Sequence, residues 1–149
     1  NMAIMVLRRE GSPKSDAFLL GVMSSRIFDW VLRRWIDTTF SKTLFNNMPI
    51  PFGSLDSETS RTIIQIAARL AAVDARYESW AKECGVEPQS ISEDDEKKEL
   101  IQELDALVAL AYGLSKDDLA TIINTFHPTW ANRQTHLEKA LEYYEKWSK

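Results

Sequence analysis

The chain has 149 residues, 44% of them hydrophobic and 27% charged, with a formal net charge of −4 at pH 7. These values fit one ordinary soluble domain with a continuous core and exclude a disordered tract. No apolar run approaches the ~20 residues needed to span a bilayer, and the single cysteine, Cys84, excludes an internal disulfide and fits a reducing, cytoplasmic setting.

The charge is unevenly spread. Residues 1–81 hold 10 Lys/Arg against 8 Asp/Glu, whereas residues 82–149 hold 8 against 14. A self-sufficient DNA binder draws most of its affinity from a strong basic excess, which this chain lacks. Any nucleic-acid contact is therefore expected in the first half, and the acidic second half is expected to face solvent or protein.

In chain order, residues 2–8 read as a short strand ended by the Gly11-Ser12-Pro13 turn. A strand in that position implies a cut through a larger sheet, or pairing with an extended segment at 39–47. The start does not read as a signal peptide, having no basic segment ahead of an apolar one and no small-residue cleavage site. Ser15 and Asp16 open a helix to about Ile36, with Ile27, Phe28, Val31, Leu32 and Trp35 on one side and Arg26, Asp29, Arg33 and Asp37 on the other. Residues 38–52 read as an extended link, because Pro49 and Pro51 forbid a helix there.

A long helix is expected from about Asp56 to Cys84, with a core stripe of Ile63, Ile66, Leu70, Val73, Tyr77 and Trp80 and a stop at Gly85. Tyr77 and Trp80 should then pack against the following helix. That helix starts after a capping-box-like Ser92-Glu-Asp-Asp95, buries Leu100, Ile101, Leu104, Leu107, Val108 and Ala111, and ends at Gly113. A short helix follows from Ser115, carrying Leu119, Ile122 and Ile123. The last runs from about Ala131 to Trp147 through Leu137, Leu141 and Tyr144. The expected fold is mainly α: a helical domain of about five helices with a short two-stranded or edge β element.

Most catalytic signatures are missing. There is no Gly-x-Gly and no Pro-Pro, so neither a dinucleotide fingerprint nor the Asn-Pro-Pro-aromatic motif of adenine methyltransferases is present. His127 and His136 are nine positions apart and Cys84 is remote, which does not suit zinc. Glu96-Lys97-Lys98 has the look of half a nuclease motif but lies in a solvated charge run. His127 before Pro128 reads as a turn cap ahead of a catalytic base, and Asp74 as a carboxylate bonded to a helix end ahead of a functional acid. Trp30 falls on the polar side of its helix among Arg26, Arg33 and Arg34. It is open to contact with a partner or parent chain, to packing beneath Arg34, or to stacking on a base.

Five segments, in order, resemble the C-terminal region of type IIG-like restriction-modification methyltransferases and related phage-defence methyltransferases. Phe18-Leu-Leu-Gly-Val-Met-Ser-Ser-Arg-Ile-Phe-Asp-Trp30 is similar to the helix of their target-recognition region, and Phe45-Asn-Asn-Met-Pro-Ile-Pro51 to its Pro-x-Pro exit. Ala71-Ala-Val-Asp-Ala-Arg-Tyr-Glu-Ser-Trp80 and Leu104-Asp-Ala-Leu-Val-Ala-Leu-Ala-Tyr-Gly-Leu114 resemble the closing helices, and Thr125-Phe-His-Pro-Thr-Trp130 the terminal Phe-His-x-x-Trp element.

The resemblance implies a single domain that is part of a larger protein: residues 1–53 end a target-recognition region and 54–149 form a C-terminal helical bundle. It implies a module without catalysis of its own, joined to an upstream S-adenosylmethionine-dependent adenine-specific DNA methyltransferase domain, with or without a nuclease. The module itself takes no cofactor, and it meets DNA through the parent protein. The phosphate neighbours it implies are Arg8, Arg9, Arg34 and Lys42, with Asn46 and Asn47 on the DNA side of the link and Trp30 at an interface. Self-association is a further expectation. The competing expectation is a helical protein-interaction or oligomerisation module that makes no DNA contact.

Overall fold

The computed structural model describes residues 11–35, 42–126 and 131–149. Its described residues are mainly helical. Ser12 caps the first helix, α1 (Pro13–Ser24): its hydroxyl accepts from the Ser15 amide, the Ser15 hydroxyl accepts from the Ser12 amide, and Pro13 fills the first turn where no amide is needed. The expected helix over 15–36 is two helices. At Ser25 the backbone turns extended (ψ 154°), and its hydroxyl donates to the Val22 carbonyl while accepting from the Phe28 amide. One side chain thus closes α1 and opens α2 (Arg26–Trp35). Trp35, expected in the core, is 58% exposed because the bend turns the end of α2 away from it.

The link expected to be extended contains one helical turn, α3 (Lys42–Asn46), whose end is capped by the Asn47 side-chain amide donating to the Thr43 carbonyl. Prolines at 49 and 51 stop helix only after this turn. Among the described residues there is no strand. The strand expected at 2–8 lies outside them, and its proposed partner at 39–47 is α3 over the part that is described.

α4 (Glu58–Ala71) is capped by Ser57 and buries Ile63, Ile64, Ile66, Ala67 and Ala68. The long helix expected to Cys84 breaks after Ala72. Asp74 accepts from the Arg76 amide and starts a 3-10 turn (Ala75–Tyr77) that leads into α5 (Glu78–Glu83). The break leaves Val73 62% and Tyr77 40% exposed, whereas both were expected in the core stripe. Trp80 packs against the core, but α5 lies on α1 rather than facing the next helix as expected.

That next helix, α6 (Asp94–Ala111), has Glu93 at its cap with no side-chain hydrogen bond, so the Ser92 capping box is not formed. Three carboxylates in its first turn, Asp94, Asp95 and Glu96, complement the helix dipole instead. Gly113, at φ +70°, ends the segment as expected. A Ser115–Asp118 capping box starts α7 (Lys116–Asn124), and α8 (Arg133–Trp147) completes the chain. Two broken helices and the extra turn at 42–46 thus turn about five expected helices into eight among the described residues.

α6 is the central element. It packs on α8 and α4 and touches α1 and α2, which is why nearly every residue from Leu104 to Ala109 is buried. α1 crosses α4 closely, because Gly21 leaves room for Ile63 and Ala67. α7 bridges α8 and α2. The link is tied to this bundle: Met48 is buried, the Tyr112 hydroxyl donates to the Pro49 carbonyl at 2.7 Å, and the Phe52 ring lies 5.7 Å from that of Phe18. Residues on both sides of position 53 therefore share one core.

Candidate interaction surface

Three features of this fold bear on function: the outer face of α2, a buried polar cluster behind it, and an open cleft beside it. On the outer face, the expected i,i+4 pair forms, with Arg33 bidentate on Asp29 at 3.1 and 2.7 Å. The Arg33 guanidinium also lies 4.8 Å from the centre of the Phe126 ring. Arg34 covers the Trp30 ring at 4.6 Å and has no carboxylate partner among the described residues. Trp30 itself is half-buried beneath it, with its indole N–H buried and without an acceptor among the described residues. The packing of Trp30 under Arg34 is one of the arrangements open to it from sequence.

Arg26, expected in the same solvated stripe, turns inward. Its amide and its Nη1 donate to the Asp105 carboxylate at 2.8 and 3.1 Å, and His136 Nε2 lies 2.7 Å from the same carboxylate. Asp105 is fully buried and His136 only 5% exposed. The cluster joins α2, α6 and α8 and was missed by the sequence reading. Its signal is present: Asp105 is a lone carboxylate between Leu104 and the run Ala106-Leu-Val108, where only a paired acid is tolerated. The carboxylate is thus held by Arg26 and His136 and sealed from solvent.

The other candidates resolve similarly. Asp74 holds Arg76 through its side chain and backbone, and the Arg76 guanidinium beside it keeps its carboxyl below the usual range. Cys84 is buried, with its thiol 3.6 Å from the Pro13 carbonyl, and burial pushes that thiol up, away from the reactive thiolate. Among the described residues no three metal-ligating side chains gather. Arg8, Arg9, His127 and the Lys42 side chain lie outside the described residues. Asn46 and Asn47 are exposed at the end of α3, and the Asn47 amide is engaged in its cap. No hydrogen bond or ion pair joins this pair to Arg34 on α2 among the described residues.

The cleft, about 850 Å³, opens between α1, α2, α4 and α6. Its walls are largely apolar, and Arg26, Arg33 and Lys97 stand along it. A smaller depression of about 380 Å³ adjoins it, sharing Leu70 and Lys97 and running on to Val73 and Ile91.

No family model, curated protein or solved structure matches this chain. Its surfaces are thus read on their own chemistry. No helix among the described residues is long and apolar enough to cross a membrane.

Proposed function

We propose that the chain is a non-catalytic recognition or support module of a restriction-modification or phage-defence adenine methyltransferase. Its task is to hold the end of the target-recognition region on a helical bundle while an upstream domain methylates DNA. The observation that carries the reading is the seating of the link. The Pro-x-Pro segment that resembles the family's exit is tied through Pro49 to Tyr112, and Phe52, the residue after it, lies on Phe18; Tyr112 and Phe18 lie in two other segments that carry the resemblance. A link fixed in this way transmits the position of one region to the other. S-adenosylmethionine belongs, on this reading, to the upstream domain.

Arg34 is the phosphate contact of choice: it is exposed, preset on the Trp30 face and, among the described residues, uncompensated by a carboxylate. The test uses the whole methyltransferase chain, whose reading frame should carry the Asn-Pro-Pro-aromatic motif upstream. Replacing Arg34 and Lys42 with glutamine should weaken DNA binding at moderate salt for all sequences. It should also lower the salt slope by about one per contact removed. Unchanged affinity and slope would move this face to the second reading, a protein-interaction module without DNA contact. That reading is favoured by the open apolar cleft.

A further inference from the structure

We infer that the junction of α7 and α8 carries a further phosphate contact, Arg133, and that the DNA backbone runs from Arg34 on α2 across Phe126 to this residue. The inference rests on the DNA-recognition reading above. It extends that reading into the acidic half of the chain, where the charge balance led us to expect solvent or protein.

Two arginines far apart in sequence meet at one residue. The Arg33 guanidinium lies 4.8 Å from the centre of the Phe126 ring. From the other side, Arg133 Nη1 donates to the Phe126 carbonyl at 3.0 Å and to the Asn124 carbonyl at 3.3 Å. The packing of α7 on both α2 and α8 brings them together. Arg34, the next residue of α2, covers the Trp30 ring. The result is a strip of three guanidiniums, two of them lying over aromatic rings.

The three charges are not equally available. Arg33 gives its Nε and Nη2 to Asp29, which offsets its charge. Arg133 is bonded to carbonyl oxygens, which orient a guanidinium without neutralising it, and its Nε and Nη2 hold no bond among the described residues. Arg34 and Arg133 are thus the two cations of the strip that no carboxylate holds among the described residues. A guanidinium over a ring also keeps its in-plane N–H groups for an anion.

The surroundings agree with this. Residues 119–137 contain no Asp or Glu, although residues 82–149 hold 14. Exposed side chains near Arg133 include Thr121, Asn124 and Asn132, which are neutral. Hydroxyls and amides beside arginine are the groups that meet phosphate and sugar oxygens. A protein partner would seek an apolar anchor between the charges, and here the two rings are covered by guanidiniums.

The test follows duplex binding by the whole methyltransferase chain across salt concentrations, by fluorescence anisotropy. Arg133→Gln should lower the slope of log affinity against log salt by about one, and its combination with Arg34→Gln by about two. Arg133→Lys keeps the charge and should keep the slope. Asn124→Asp adds a negative charge without removing the backbone tie and should weaken binding several-fold, so the inference stays testable if Arg133→Gln does not fold. Thermal unfolding is read on the same variants. A purely structural Arg133 would lower the midpoint in both of its variants and leave both slopes unchanged, which would overturn the inference. Polyglutamate of equal charge displacing the duplex as readily as unlabelled duplex would also overturn it, by assigning the strip to an acidic protein. A slope altered by Arg34→Gln but not by Arg133→Gln would remove this inference and keep the DNA reading. A parent chain that does not bind duplex would remove both.

Discussion

Asp105 accepts from Arg26 and His136 and has no exposed surface. Removing it takes a charged acceptor from the half-buried Arg26, from its backbone amide and from the buried His136 ring. Breaking a buried pair from one side costs about 3–5 kcal/mol, far more than an exposed pair. Asp105→Ala should therefore lower unfolding free energy by that amount in urea denaturation, and a loss below ~1 kcal/mol would show that the cluster is dispensable. Legibility at this scale divides by burial. The Arg33–Asp29 pair was readable because i,i+4 partners meet on any helix surface. The Arg26–Asp105 pair was not, because Asp105 lies 79 residues away in sequence on α6, and the His136 that shares its carboxylate lies further on, on α8. Trp30, read as lying on the polar side of its helix, packs against the core beside Val31 and Leu32 with Arg34 over its ring.

The helices themselves were legible where period and caps agreed. α6, α7 and α8 have the expected core residues, since Leu104, Leu107, Leu119, Ile123 and Leu137 are all buried. The breaks in the first half were hidden by apolar residues that keep helical spacing across them. Only small local bonds, Ser25 to Phe28 and Asp74 to Arg76, end one helix and start another. The α1–α4 crossing gives a second prediction. A Cβ at Gly21 would stand 2.8 Å from Ile63 Cγ2 and 3.2 Å from Ala67 Cβ. Alanine gains roughly 0.8–1 kcal/mol of helix propensity, but overpacking a tight contact costs about 1–3 kcal/mol. Gly21→Ala is expected to lower the thermal midpoint, and a raised midpoint would mean that α1 moves off α4 without loss.

For the molecule as a whole, pH acts through its surface carboxylates. Asp118, Asp95, Glu78 and Glu145 are each held below their ordinary range, first by side-chain hydrogen bonds from Ser115, Lys98, Lys82 and Lys116. A carboxylate depressed in the folded state contributes stability above its unfolded value and loses it as pH falls through the folded one. Each is exposed and contributes little, but their losses coincide. The urea midpoint should fall as pH drops below about 4, and a midpoint steady from about pH 5 to 2.5 would contradict it. At the alkaline end, burial pushes the Tyr112 phenol up to about 12. Its contribution is complete below about pH 10 and is lost as pH rises toward 12. Burial also raises Tyr143, so absorbance titration should show late-titrating tyrosines, with the step nearest pH 12 lost in Tyr112→Phe. The helical class and the order of the later elements were readable at this scale from periodicity. The cleft was not, because it is made by four helices whose adjacency no local pattern states.

The Arg26–Asp105–His136 cluster has a consequence for how the molecule opens. α2 and α8 lie far apart in sequence and would ordinarily fray on their own schedules. Both are fastened to one carboxylate of α6 and share its Oδ2 atom. When either outer helix lifts, the carboxylate left behind loses part of its shell and its hold on the other weakens. Partial departure thus carries the penalty of an unshielded charge without the entropy of a fully released chain. The two helices open as one cooperative unit, and slow amide exchange in one should be matched by slow exchange in the other.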